Sequence, residues 1–216
     1  MLATRIDLEA ALDATRTGDI WLFRGRKIAD RAIQVSTNSP VNHVGMAVVI
    51  DDLPPLMWHA ELGRSLEDLW SGAHQRGAQL HDLREVVTTW THRYGQRTWM
   101  RQLDHPVDRA MEDAVLRTIA RLDGTPFPST TGMALRWLRG HAPEFGRRTT
   151  GDPEMAYCAE IVAITYEAMG LFPPGRRASG FDPGRFWSGD NLDLLLGASL
   201  GKEIDVSVPG PGPKRR

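Results

Sequence analysis

The sequence predicts an α+β fold, in which a central helix packs on a mainly antiparallel sheet and the middle of the chain adds helices on the outside. Three observations predict it. Two β-rich segments, "VNHVGMAVVI" (41–50) and "PLMWHAEL" (55–62), are joined through the turn composition "DDLPP". The stretch "AYCAEIVAITYEAMGLF" (156–172) is apolar on nearly every side, as a buried central helix should be. The segment "VDRAMEDAVLRTIARL" (107–122) has helical spacing at Ala110, Ala114, Val115 and Ile119, with an acidic first half.

In chain order, "IDLEAALDA" (6–14) reads as a short helix and "DIWLFRG" as a strand, with Gly18 and Asp19 forming the turn before it. "KIADRAIQV" (27–35) returns to helical spacing through Ile28, Ala32 and Val35 and is broken by "STNSP". After the strand pair, "GAQLHDLREVVTTW" (77–90) is a strand or short helix leading to a strand near "QRTWMRQL" (96–103). The helix at 107–122 stops at "DGTPFPST". A further helix, "GMALRWLRG" (132–140), and the polar loop "HAPEFGRRTTGDPE" then lead to the central helix. "PPGRRASGFDPGRF" (173–186) reads as a surface loop, "NLDLLLGASLG" (191–201) as a short helix ending at glycine, and "KEIDVSV" (202–208) as a last strand. Residues 1–208 form one predicted domain, and "PGPGPKRR" (209–216) is a basic tail expected to be disordered.

Composition excludes several function classes. The net charge of −1 leaves no global field to draw the protein to nucleic acid, and "RGRK" and "KRR" are too short and too separated to form a basic stripe. No run approaches the ~20 apolar residues of a membrane span, so no integral membrane segment is expected. The N-terminus carries acidic residues among its apolar ones, unlike a signal peptide. The single cysteine cannot form an internal disulfide and fits a reducing compartment, so a cytoplasmic location is expected. Oligomeric state cannot be read from the sequence.

That cysteine, Cys158, stands near the front of the apolar helix, where unpaired backbone amides and the helix dipole would favour a thiolate. A cysteine nucleophile needs a base, and seven histidines are available. His74, His81, His92, His105 and His141 lie in polar or ill-defined stretches. His43 begins an otherwise apolar strand, with Gly45 leaving room for a close approach. His59 and Glu61 share one face of the next strand because side chains alternate, and either can orient His43 if the strands pair. Trp21, Trp58 and Tyr157 lie near these elements as cleft wall or core.

These residues resemble a known family. "TGDIWLFRG", "VNHVGMAVVI", "LMWHAEL" and "YCAEIVAITYEAMGLF" are similar to the permuted branch of the NlpC/p60 cysteine peptidases, whose fold is a circularly permuted papain-like one. The resemblance covers most of the first and last thirds. It implies Cys158 as nucleophile, His43 as general base and acid, and His59 as orienter, at a position where many relatives carry glutamate, with Glu61 as the alternative. It implies a thiol hydrolase of amidase or peptidase type, or an acyltransferase of the same chemistry, acting on a small-molecule, peptide or lipid-linked acyl substrate without a cofactor. The cleft is expected between the start of the Cys158 helix and the strands bearing His43 and His59.

Other readings stand beside it. "GASLG" (197–201) fits a serine-hydrolase elbow, but no histidine follows Ser199. His43, His59 and Cys158 are three possible zinc ligands, although there is no H-E-x-x-H and no second cysteine. "GASLGK" is one residue short of a phosphate loop. A binding module that keeps the fold without activity is the non-enzymatic alternative.

Overall fold

The computed structural model describes residues 4–25, 40–63, 65–125, 153–175, 178–189 and 192–210. The helices expected at 27–35 and 132–140 and the tail 211–216 lie outside these residues. Within them the protein is α+β: a seven-stranded sheet, antiparallel except at one edge, with four α-helices. The elements are β1 (Arg5–Asp7), α1 (Leu8–Ala14), β2 (Ile20–Arg24), β3 (His43–Val48), β4 (Leu56–Glu61), β5 (Gly77–Asp82), α2 (Leu83–Tyr94), β6 (Arg97–Arg101), α3 (Arg109–Leu122), α4 (Pro153–Ala168) and β7 (Ile204–Ser207). The strand order is β1-β7-β6-β2-β3-β4-β5, and only β1 with β7 is parallel.

Three aspartates set helix starts that apolar spacing alone misplaces. Asp7 accepts a hydrogen bond from Ala10 N, so the first helix begins at Leu8 and Ile6 belongs to a strand instead. Asp82 accepts from Glu85 N and divides 77–90 into a strand followed by a helix, both of which the sequence offered as alternatives. Asp108 accepts from Met111 N, and the buried face of α3 runs through Met111, Val115, Thr118 and Ile119 rather than through Ala110 and Ala114.

The alternation of each strand divides the interior in two. Ile20 and Leu22 of β2, Val44, Met46 and Val48 of β3, Leu56, Trp58 and Ala60 of β4 and Ala78 and Leu80 of β5 face one apolar cluster with α3 and α4. Trp21, Phe23, Ala47 and Met57 face a second, with α1 and α2. Helix α4 is fastened to the first side by two hydrogen bonds. Trp58 Nε1 donates to Thr165 Oγ1 at 3.1 Å, and the Tyr166 hydroxyl donates to Gly18 O at 2.6 Å.

Two chain segments differ from their sequence reading. Leu192–Gly201 is not a helix: Leu196 and Gly197 have φ of 60° and 69°, and the segment is tied down by bonds from Leu195 N to Leu171 O and from Gly201 N to Gln102 O. Nothing here resembles the strand–turn–helix that a Ser199 elbow needs. Residues 173–186 are more than a surface loop, since single helical turns at Ala178–Gly180 and Pro183–Phe186 bury Phe181 and Phe186. The guanidinium of Arg101 gathers these ends, donating to the carbonyls of Gly201, Phe186 and Leu200 at 2.6, 2.5 and 2.9 Å.

Candidate functional site: a buried imidazole chain

His43, the first residue of β3, has the parity of Gly45 and Ala47, and its ring therefore faces α2. It packs at 4.7 Å, ring centre to ring centre, against Trp90 of α2, and at 6.1 Å against Phe23 of β2. His59 has the same parity on β4, and its Nδ1 is 3.0 Å from His43 Nε2. Two of the residues singled out in the sequence are thus joined by a hydrogen bond between neighbouring strands.

Of the two side chains the sequence offers as orienter, His59 is the one hydrogen-bonded to His43. The carboxylate of Glu61 accepts instead from Ser65 Oγ at 2.8 Å, and that hydroxyl accepts in turn from Trp90 Nε1 at 3.2 Å. Burial pushes the Glu61 carboxyl above its ordinary range, chiefly by desolvation and against the Ser65 hydrogen bonds.

A residue set aside in the sequence extends the pair. His81 of β5 is 1 % exposed, and its Nδ1 lies 2.7 Å from His59 Nε2. Its neighbours Asp82 and Arg84 give the segment a polar look, but the alternation in "GAQLHD" puts His81 on the face of Gln79, which is opposite His59 in the strand register. Strand parity was the signal that could have found it. The three rings form a row across β3, β4 and β5, with Trp90 packed against the first two.

Burial sets the charge of this row. Desolvation, with a smaller repulsion from His81, lowers the His43 pKa to about 3. Desolvation also lowers His81 to about 4, opposed by the carboxylate of Asp68, and His59 falls well below its ordinary value for the same reason and because a ring lies on either side. All three are neutral imidazoles at pH 7.

Gly45 shows how closely the row is packed. The approach its missing side chain permits is made by Met57 and His59: a Cβ at Gly45 would meet Met57 Cγ at 2.9 Å and His59 Cβ at 3.1 Å, with Met57 Cε nearer still. Gly45→Ala is expected to destabilise the protein by about 1–3 kcal/mol through overpacking. Urea unfolding monitored by tryptophan fluorescence measures this, and an unchanged midpoint would contradict the packing described.

Cys158 is placed differently from its sequence expectation. Helix α4 begins at Pro153, so Cys158 is its sixth residue rather than a member of the first turn with its unpaired amides. It is completely buried, in the apolar cluster on the α3 and α4 side of the sheet. Cys158 and the His43 ring therefore lie on opposite sides of β3, with Val44, Met46 and Trp58 in the cluster on the Cys158 side. The three donors considered for zinc are not gathered, and no group of three or more His, Cys, Asp or Glu among the described residues is arranged to hold a metal ion. Trp21, Trp58 and Tyr157 are core. No described helix is long and apolar enough to cross a membrane.

No protein-family model matches the chain, and no curated protein matches it. Among solved structures, the chain is similar to the metalloprotein YiiX from Escherichia coli O157:H7, with a TM-score of 0.46 and 19% sequence identity over 72% of this chain and 67% of that one.

Proposed function

We propose that the protein is a thiol hydrolase of amidase or peptidase type, built on the circularly permuted papain-like fold of the NlpC/p60 group and working through an acyl-enzyme on Cys158. The observation that carries this reading is the 3.0 Å hydrogen bond between His43 Nε2 and His59 Nδ1. A general base and its orienter are joined in this way, and the bond leaves His43 Nδ1 as the nitrogen that meets the thiol.

In this reading His43 takes the Cys158 proton, and the sulfur attacks the carbonyl carbon of an amide or ester. The carbon–nitrogen or carbon–oxygen bond breaks as His43 hands that proton to the departing amine or alcohol. His43 then takes a proton from water, whose oxygen displaces the sulfur and releases a carboxylic acid; an acyltransferase would use an acceptor amine or alcohol at this step. The reading requires Cys158 to meet His43 in an arrangement that differs from the one described above, since β3 lies between them.

A second reading has its own observation. A completely buried thiol in the apolar cluster under α4, and a base packed against Trp90 and Phe23, suit a non-catalytic binding module on the same fold. Iodoacetamide labelling of the folded protein across pH separates the two. The hydrolase reading expects Cys158 to react with a midpoint well below the ~8.5 of a free thiol, and His43→Ala to return it to the ordinary range. Resistance to labelling, or one midpoint shared by both proteins, would overturn it in favour of the module.

A further inference from the structure

We propose that His81 is a positioning residue, the last ring of a proton-ordered chain His43–His59–His81 that ties the tautomer of His43 to its own. The inference rests on the reading of His43 as a base, and it adds a residue to that site.

The two contacts constrain each other. His43 Nε2 meets His59 Nδ1 at 3.0 Å, and His59 Nε2 meets His81 Nδ1 at 2.7 Å. Every neutral imidazole has one N–H and one bare nitrogen. Each contact needs one of each, so only two arrangements satisfy both: all three rings protonated on Nε2, or all three on Nδ1. In the first, His43 Nδ1 is bare and can accept a proton; in the second it already holds one. The proton inventory of His43 is therefore tied to a residue two strands away.

His81 Nε2 is buried and has no hydrogen-bond partner among the described residues. Neither arrangement is held there by a fixed donor or acceptor, so the rings have to change together. Rotation of single rings is opposed by Trp90, which packs at 4.7 Å against His43 and 5.4 Å against His59. The same chain can carry charge. If His43 gains a proton on Nδ1, its Nε2 proton can pass to His59 Nδ1 and the His59 Nε2 proton to His81 Nδ1, with every ring but the last left neutral. The cation then rests on His81, where the carboxylate of Asp68 provides the attraction.

Nitrogen-15 NMR of the histidine rings in the full chain tests this, because protonated and bare ring nitrogens have well-separated shifts. In the wild type, His43, His59 and His81 are expected to share one tautomer at pH 7. His81→Phe, which keeps a ring but removes both nitrogens, should leave His43 and His59 as mixtures of both tautomers. His81→Gln, whose amide can donate to or accept from His59 Nε2, should likewise leave both tautomers open at His43. Unlike tautomers in the wild type would overturn the proposal without any variant having to fold. So would a His43 tautomer unchanged in a His81→Phe protein whose backbone spectrum is native-like. An inert Cys158 alongside coupled tautomers would sink the hydrolase reading alone, and uncoupled rings alongside a reactive Cys158 would sink this proposal alone.

Discussion

Lowering the pH from 7 to 4.5 is expected to weaken the fold by an amount on the order of 5 kcal/mol, because three neutral imidazoles are locked inside it. The folded pKa of His43 is lowered from 6.5 to about 3 and that of His81 to about 4, with His59 lowered as well. Below pH 6.5 the unfolded chain binds protons that the folded chain refuses, so the unfolded state gains. The stabilising effect is complete above 6.5 and is lost as the pH falls toward the folded values. At pH 4.5 each ring contributes at most about 3 kcal/mol to this loss.

Three carboxyl groups act in the opposite direction. Asp19 and Glu61 are raised by burial, and Asp123 is raised to about 6 by desolvation and by the charge of Asp68. Each is more readily protonated folded than unfolded, so each favours the folded state as the pH falls through its raised range. Asp123 is only partly buried, and the backbone hydrogen bonds from Leu103 and Arg16 oppose the shift of Asp19, so the imidazoles prevail. Urea unfolding at both pH values measures the difference. A stability that is flat or higher at pH 4.5 would show that the rings are not enclosed as described.

Trp58→Ala is expected to cost about 3–5 kcal/mol, the range for removing a fully buried aromatic side chain. Trp58 is completely buried beneath α4, and its indole N–H is bonded to Thr165 Oγ1, whose own proton goes to Ile161 O at 2.8 Å. The substitution removes apolar contact and also leaves the Thr165 oxygen without its donor. Trp58→Phe recovers most of the volume but not the hydrogen bond, so it should lose about 1–2 kcal/mol. Denaturant midpoints of the two variants separate the terms; equal losses would mean that the hydrogen bond, not the volume, dominates.

Legibility varied with how local the determining physics is. The β3–β4 pair could be read because alternating apolar residues flank a turn-forming "DDLPP". Helix α3 could be read from its spacing, though its buried face runs through Met111 and Thr118 rather than Ala110 and Ala114. Leu192–Gly201 was misread because three successive leucines suggest a helix. Two of them, Leu195 and Leu196, remain exposed, while backbone bonds to Leu171 and Gln102 hold the segment as a loop. His81 was missed because polar neighbours outweighed the alternation that buries it.

By itself the sequence determined which residues share a face of each strand. Parity alone groups His59 with Glu61 and separates His43 from Val44 and Met46, because strand side chains alternate regardless of what packs above them. Which helix covers which face was decided only by the tertiary structure. Helix α4 is apolar on nearly every side, so no stripe of its own directs it to one side of the sheet. Its docking through Trp58 and Tyr166 on the side away from His43 put Cys158 among apolar side chains and left the imidazoles to α2. The hydrogen bonds from His43 to His59 and from His59 to His81 depend on the register of β3, β4 and β5, a long-range property that no single segment encodes.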